Sequence, residues 1–294
     1  MVIVKPASVK PASVKPGSVN RHAATAKFGL YPPRLATRAL IGFAQRRRNR
    51  GLDRILALIA RKLAILLQPG PYDVEIQGLK LRLYPRDNVG ERKFLFMPGW
   101  FDPAERALIE RELPPDGVFV DIGANVGLYT LWAGRKLGAG GRLLAFEPQA
   151  EALRRLKANL SFNYIEAPVT LIEAAAWDAD ATLAFQDDRD NLGGGSAVLD
   201  HGETPGHVPA RAVAAVLAES GIGRIDILKI DIEGAEDRVL AGLLAQAPPA
   251  LHPRWMIVEN GGGRWLIDLP GLLAANGYAP VAEHRMNTIW RRIA

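Results

Sequence analysis

The stretch that most constrains this chain is Val118-Phe-Val-Asp-Ile-Gly-Ala-Asn-Val-Gly-Leu-Tyr-Thr-Leu131, followed by Leu143-Leu-Ala-Phe-Glu-Pro148. Val118 to Val120 is a β-branched and aromatic run that suits a buried strand. Asp121 stands where that strand ends, and Gly123 and Gly127 permit a tight turn and a close approach of backbone to a ligand. From Val126 to Leu137 apolar residues recur at helical spacing, so the helix N-terminal amides open into the crevice. The next strand, Leu143 to Phe146, carries Glu147 to the same sheet edge. A carboxylate about 20 residues beyond such a turn commonly binds ribose hydroxyls; here Asp121 and Glu147 are 26 positions apart. The layout predicts a strand–turn–helix–strand unit that seats an adenosine-containing cofactor. The alternative is an ordinary turn whose glycines serve only packing.

A dinucleotide fingerprint needs Gly-x-Gly-x-x-Gly. This chain reads Gly123-Ala-Asn-Val-Gly-Leu128. Asn125 replaces the second glycine, where a pyrophosphate would press on the backbone, and Leu128 replaces the third. Asp121 adds a negative charge near the phosphates. These features favour S-adenosylmethionine, whose ammonium and sulfonium carboxylates can attract, over a nicotinamide dinucleotide.

The same residues carry a family resemblance. Asp121-Ile-Gly-Ala-Asn-Val-Gly127 with Phe146-Glu-Pro148 resembles the FkbM family of S-adenosylmethionine-dependent methyltransferases. Leu156-Lys-Ala-Asn159, Gly194-Gly-Ser196, Leu228-Lys-Ile-Asp-Ile-Glu-Gly-Ala-Glu236 and Ile257-Val-Glu259 resemble further family segments, in order, between about Pro115 and Tyr278. The chain departs from the family at Ala212-Val-Ala-Ala-Val216, where a Leu-Asp-Asp-like helix start is usual. The resemblance implies an S-adenosylmethionine-binding sheet closed by an antiparallel hairpin.

Strands are expected near 118–121, 142–147, 168–173, 225–230 and 255–259, and helices near 126–137, 149–161, 234–245 and 265–276. Alternation of this kind predicts an α/β fold, a doubly wound, mostly parallel Rossmann-like sheet. Tyr278 to Glu283 and Asn287 to Arg292 read as the closing hairpin. Ahead of it, Leu52 to Leu67 reads as a helix, Asp73–Gln77 and Leu79–Tyr84 as a hairpin, and Pro103 to about Glu112 as a helix. The expected organisation is a disordered basic extension over 1–50, an accessory helix and hairpin over 51–114, and the cofactor-binding domain over 115–294.

Charge is divided the same way. Residues 1–70 hold 14 Lys/Arg and one acid, net +13; residues 71–294 hold 23 Lys/Arg and 30 acids, net −7. The part expected to be catalytic is mildly acidic, which argues against a phosphate-rich or nucleic acid substrate. The repeats Val4-Lys-Pro-Ala-Ser8, Val9-Lys-Pro-Ala-Ser13 and Val14-Lys-Pro-Gly-Ser18 exclude helix and interior strand and offer little apolar area. They contain no apolar run of a secretory signal. Arg46-Arg-Arg-Asn-Arg50 reads as a solvated face, with weak contact to an anionic membrane or nucleic acid as the alternative. Leu52 to Leu67 is too short and too charged to span a bilayer. The chain has no cysteine, which excludes disulfides and thiolate metal sites and suits a cytoplasmic setting.

Asp121, Glu147, Asp231 and Glu259 fall at predicted strand ends, the rim where ligands bind in such sheets. Expected cofactor-binding residues are Asp121, Gly123, Asn125, Gly127, Glu147, Trp177 and Asp178. For Trp177-Asp178, a core tryptophan with a turn aspartate competes with a border to adenine. Asp231 and Glu233 aim the same way if the backbone between them is extended. Lys229 shares their parity, with a structural ion pair as its alternative role. A neutral hydroxyl nucleophile needs a general base: Asp231 is the first candidate, with Glu233 as partner. A divalent metal on Asp231, Glu233 and Glu259 is the weaker option, so no metal is expected. His201 and His207, in a predicted loop over Gln186–Val208, are alternative bases; His284 reads as structural. The function expected is O-methylation of a hydroxyl on a sugar or other small molecule. The competing functions are an NAD(P)-dependent oxidoreductase and a non-enzymatic membrane or nucleic-acid binding module.

Overall fold

Val118-Phe-Val-Asp-Ile122 is buried at every position, so both faces of the strand it forms must be covered. A computed structural model, describing residues 27–186, 192–198, 206–261, 263–284 and 286–293, shows how. In chain order the elements are α1 (Leu35–Gln45), α2 (Gly51–Leu67), β1 (Tyr72–Ile76), β2 (Leu79–Leu83), α3 (Val89–Phe96), α4 (Pro103–Glu112) and β3 (Val118–Ile122). There follow α5 (Leu128–Lys136), β4 (Arg142–Phe146), α6 (Ala150–Ser161), β5 (Val169–Ile172), β6 (Ala175–Trp177), β7 (Ala181–Gln186), β8 (Ser196–Val198) and β9 (His207–Ala212). The chain closes with α7 (Val213–Glu219), β10 (Ile227–Ile230), α8 (Glu236–Gln246), β11 (Trp255–Glu259), α9 (Leu269–Ala275), β12 (Tyr278–Glu283) and β13 (Asn287–Arg292).

Among the described residues the main sheet has the order β12-β13-β11-β10-β3-β4-β5. From β11 to β5 every pairing is parallel, while β13 runs antiparallel to β11 and β12. The expected doubly wound sheet and closing hairpin are therefore both present. The strand order reverses between β10 and β3, which is where such folds open a ligand crevice.

Side-chain alternation along the strands divides the apolar residues into two cores. Phe119, Leu143, Ala145, Ile227 and Ile257 pack with α5, α6 and the N-terminal elements. Val120, Ile122, Leu144, Phe146, Leu228, Ile230 and Val258 pack with α7, α8 and α9 on the other face. The register pairs Lys229 with Asp121, so this charged pair lies side by side within the first core.

Three features depart from expectation. Residues 35–45, within the stretch read as disordered, form α1, which buries Thr37, Ile41 and Ala44. The proline-spaced repeats that prompted that reading lie outside the described residues. Val89–Phe96 forms a helix, α3, that the composition did not announce. Its cap is Asn88, whose Oδ1 accepts from the Glu91 N–H at 3.0 Å. Within the stretch read as a loop over 186–208, β8 and the start of β9 join β6 and β7 in a second sheet of order β6-β9-β7-β8. These strands are short, and β9 contains Pro209, which argues against a strand on sequence grounds. Where the family's aspartates are missing, α7 begins without a side-chain cap; Asp180 Oδ1 accepts the Ala212 N–H there at 2.9 Å.

Among the described residues no helix is long and apolar enough to cross a membrane.

Candidate active site

The turn after β3 is built by backbone geometry. Gly123 and Gly127 have φ of +75° and +91°, and Asn125 has φ +51°. Asparagine is among the few residues that tolerate this region, which explains its place between the two glycines. The Gly123 and Ala124 N–H groups donate to Phe146 O at 3.1 and 2.9 Å, tying the turn to the end of β4. Both glycines are also tightly packed. A Cβ on Gly123 would lie 1.9 Å from Asp231 O, and one on Gly127 would lie 2.3 Å from Leu156 Cδ1. Asn159, one turn beyond Leu156, donates to Val126 O at 3.0 Å and accepts the Arg82 N–H at 2.8 Å. The Leu-x-x-Asn segment thus braces the turn from below.

A cavity opens at this rim, lined among others by Gly123, Asn125, Tyr129, Glu147, Trp177, Lys229, Asp231 and Glu233. Its volume is about 150 Å³, and it is open to solvent on one side. Leu192 and Gly195 supply part of its wall.

Glu147 is 6% exposed. Its Oε2 accepts from the Asn125 N–H at 2.7 Å and its Oε1 from the Gln149 N–H at 2.9 Å. Each carboxylate oxygen keeps acceptor capacity beyond these bonds. Burial pushes the Glu147 carboxyl up to about 7, against the opposing pull of the Gln149 and Asn125 amides.

Asp121 is fully buried and lies beneath the cavity instead of lining it. Thr130 Oγ1 donates to its Oδ2 at 2.5 Å. Its Oδ1 has no hydrogen-bond donor and lies 3.6 Å from Lys229 Nζ. Burial raises its pKa, with Lys229 opposing. Lys229 also lies 3.6 Å from Asp231 and donates to Gly123 O at 2.7 Å. Burial pulls the Lys229 ammonium down, but Asp231, Asp121, Glu259 and Glu147 outweigh it and hold its pKa above the ordinary value. These acids favour its charged form, and its bond to Gly123 O ties it to the turn.

Asp231 has its side chain 42% exposed and lines the cavity. The conditional expectation of an extended backbone to Glu233 fails, because Glu233 has φ +60°. The turn still brings one carboxylate oxygen each of Asp231, Glu233 and Glu259 within 4.8 Å of one another, a spacing that could hold a cation. Arg264 already contacts this group, at 2.9 Å from Glu233 Oε2 and 4.0 Å from Glu259 Oε2. Burial and the neighbouring Asp231 raise the Glu259 carboxyl's pKa. Glu236 shapes the loop: its Oε1 accepts the Ile232 and Gly234 N–H groups at 2.9 and 3.2 Å, and its Oε2 accepts Trp265 Nε1 at 2.9 Å.

Trp177 packs in the second core, as the alternative reading has it, and also lines the cavity. Asp178 and Gly127 do not line the cavity. Asp178 turns to α8, where it pairs with Arg238 at 2.7 Å. His201 lies outside the described residues, and His207 and His284 do not line the cavity.

Sequence reasoning missed Asp102, Tyr129 and Asn88. Asp102 precedes Pro103 at a helix start, so it reads as a cap. It makes no cap bond and has φ +42°; instead it accepts from the Tyr129 hydroxyl at 2.9 Å, and burial and Glu105 raise its pKa. Asn88 Nδ2 donates to Asn125 Oδ1 at 2.9 Å, joining α3 to the glycine turn. Such long-range pairs leave no local signal in sequence.

The FkbM methyltransferase domain family matches residues 121–272, just over half of the chain. The AMB antimetabolite synthetase AmbE of Pseudomonas aeruginosa is 31% identical over 166 residues, 45% of this chain but only 8% of that protein. The 31-O-demethyl-FK506 methyltransferase FkbM of Streptomyces tacrolimicus is 29% identical over 226 residues, 67% of this chain and 85% of that one. The O-methyltransferase of Bacillus cereus solved with SAH is similar in fold over 64% of this chain and 79% of that one, at 14% identity and a TM-score of 0.40, too distant to inform function.

Proposed function

The chain belongs to the FkbM methyltransferase family, and from that premise we propose that it methylates a hydroxyl group on a sugar or other small molecule, placed in the cytoplasm. S-adenosylmethionine is its cofactor. The rim fits that molecule through Glu147, which faces the cavity with unused acceptor capacity. When bound, the cofactor supplies an electrophilic methyl group on a sulfonium.

The protein's part is to hold the acceptor in line and take its proton. Glu147 and the turn at Gly123–Asn125 hold the cofactor, and Lys229 keeps that turn in place. Asp231 carries the reading, because it joins an exposed carboxylate to the same cavity as Glu147. It is the general base that accepts the proton of the acceptor hydroxyl, and Glu233, fixed by Arg264, orients the acceptor beside it. Positioning of this kind can contribute roughly 7–11 kcal/mol and the base about 10²–10⁴ in rate. The catalytic unit is assigned to 115–294, with 51–114 supplying α3, Phe101 and Asp102 at the cavity's edge.

The test is a labelled-methyl transfer screen over sugars, lipids and natural-product hydroxyls, with amines as controls. Label recovered in an ether linkage supports the proposal; label confined to nitrogen overturns it.

A further inference from the structure

A second cavity, of about 550 Å³, adjoins the first and shares Asp102 with it. Its lining includes Arg54 and Arg61 from α2, Arg92 and Lys93 from α3, and the acids Asp102 and Glu105. Both acids have other partners: Asp102 accepts from the Tyr129 hydroxyl, and Glu105 Oε1 accepts from Asn287 Nδ2 at 2.9 Å. Among the described residues none of the four cations has an ion pair within 4.0 Å. Arg92 spends one N–H on Pro85 O at 3.3 Å, and Lys93 Nζ lies 5.8 Å from the Phe101 ring centroid.

Burial and the adjacent Arg92 lower the Arg61 guanidinium's pKa. Like charges gathered in a half-buried cavity repel, and an anion placed between them reverses that cost. After the two acids are counted, the lining keeps an excess of two positive charges, matching a dianion. Guanidinium forks suit phosphate oxygens in both geometry and charge.

We propose that this cavity binds a phosphate group of the methyl acceptor, making the acceptor a hydroxyl-bearing phosphate ester. The inference rests on the hydroxyl methyltransferase reading above, since Asp102 at the join lets an acceptor anchored here extend toward Asp231. The net acidity of residues 71–294 argued against a phosphate-rich substrate, but it averages over this cavity. Arg54 and Arg61 come from the basic first part of the chain, and Arg92 and Lys93 are adjacent in sequence. The phosphate belongs to a soluble ester or to a lipid headgroup. Leu52, Ile55, Ile59, Leu63 and Leu66 form an exposed apolar stripe on the outer side of α2, so both sources are tested.

The full chain and R61Q/R92Q are titrated calorimetrically with inorganic pyrophosphate and with S-adenosylmethionine, and sedimented with phosphatidylcholine vesicles with and without phosphatidic acid. The expected result is pyrophosphate binding by the wild type, at least tenfold weaker in R61Q/R92Q, with unchanged S-adenosylmethionine affinity and no fall in melting temperature. Phosphatidic-acid-dependent sedimentation lost in the variant assigns the phosphate to a lipid; pyrophosphate binding without sedimentation assigns it to a soluble ester. Arg54→Gln, an exposed position, serves the same comparison with a threefold or greater loss if R61Q/R92Q does not fold. Absence of both pyrophosphate and vesicle binding by the wild type, or equal binding by the variants, overturns the proposal. Failure of the wild type to bind S-adenosylmethionine would instead refute the methyltransferase reading and leave the phosphate result standing.

Discussion

Gly123→Ala is expected to lose methyl transfer by at least 100-fold and to lower the melting temperature by about 5–15 °C. Two effects add. Its φ of +75° costs an L-residue roughly 1–2 kcal/mol. The new Cβ also meets Asp231 O at 1.9 Å and Ile232 Cγ2 at 3.1 Å. The first of these is backbone, so relief requires the Asp231–Glu233 segment to move. Overpacking of that kind costs about 1–3 kcal/mol, and each kcal/mol shifts the melting point of a chain this size by roughly 2–4 °C. Activity falls further than stability, because the displaced segment carries the proposed base. Gly221→Ala is the control: its φ is +64° and nothing lies within 4 Å of its Cβ position, so only the backbone strain applies. Thermal melts and labelled-methyl assays of both variants check this. Equal behaviour of the two would mean that the contact between the turn and Asp231 is unimportant.

Asp231→Asn is expected to lower kcat by about 10²–10⁴ while S-adenosylmethionine affinity changes less than about threefold. The amide keeps the shape of the side chain and removes the proton acceptor. Asp121 remains 3.6 Å from Lys229, so the ammonium that pins Gly123 O keeps a counter-charge. Single-turnover transfer, with cofactor affinity measured separately, distinguishes this from a binding defect. A kcat within threefold of wild type would remove Asp231 from the role of base.

Strands β3, β4, β5 and β10 were legible because each is a short, mainly apolar run next to Gly, Pro or Asp. The closing hairpin falls at Tyr278–Glu283 and Asn287–Arg292, as the sequence reading has it. The second sheet was not legible, since β8 and β9 are held by pairing with β7 and β6 and not by an apolar run of their own. Within the site, Glu147, Lys229 and Asp231 were visible as polar residues at strand ends. The close packing of Gly123 is against Asp231 O, a contact between residues far apart in sequence that leaves no local signal. Asp102 shows the opposite failure: its position before Pro103 invites a capping role, and tertiary contact with Tyr129 overrides it.

The most direct measurement is a calorimetric titration of S-adenosylmethionine into the wild type and Glu147→Gln at pH 8 and pH 6. The Glu147 carboxyl is pushed up to about 7 by burial, and its ionised form is the stronger acceptor for ribose hydroxyls. Its ionised fraction falls about tenfold between these pH values. The wild type should therefore bind about tenfold more weakly at pH 6, and Glu147→Gln should bind more weakly than the wild type at pH 8 without that pH dependence. Equal affinity of both proteins at both pH values, or tight binding of NAD⁺ with none of S-adenosylmethionine, would contradict the assignment of this cavity.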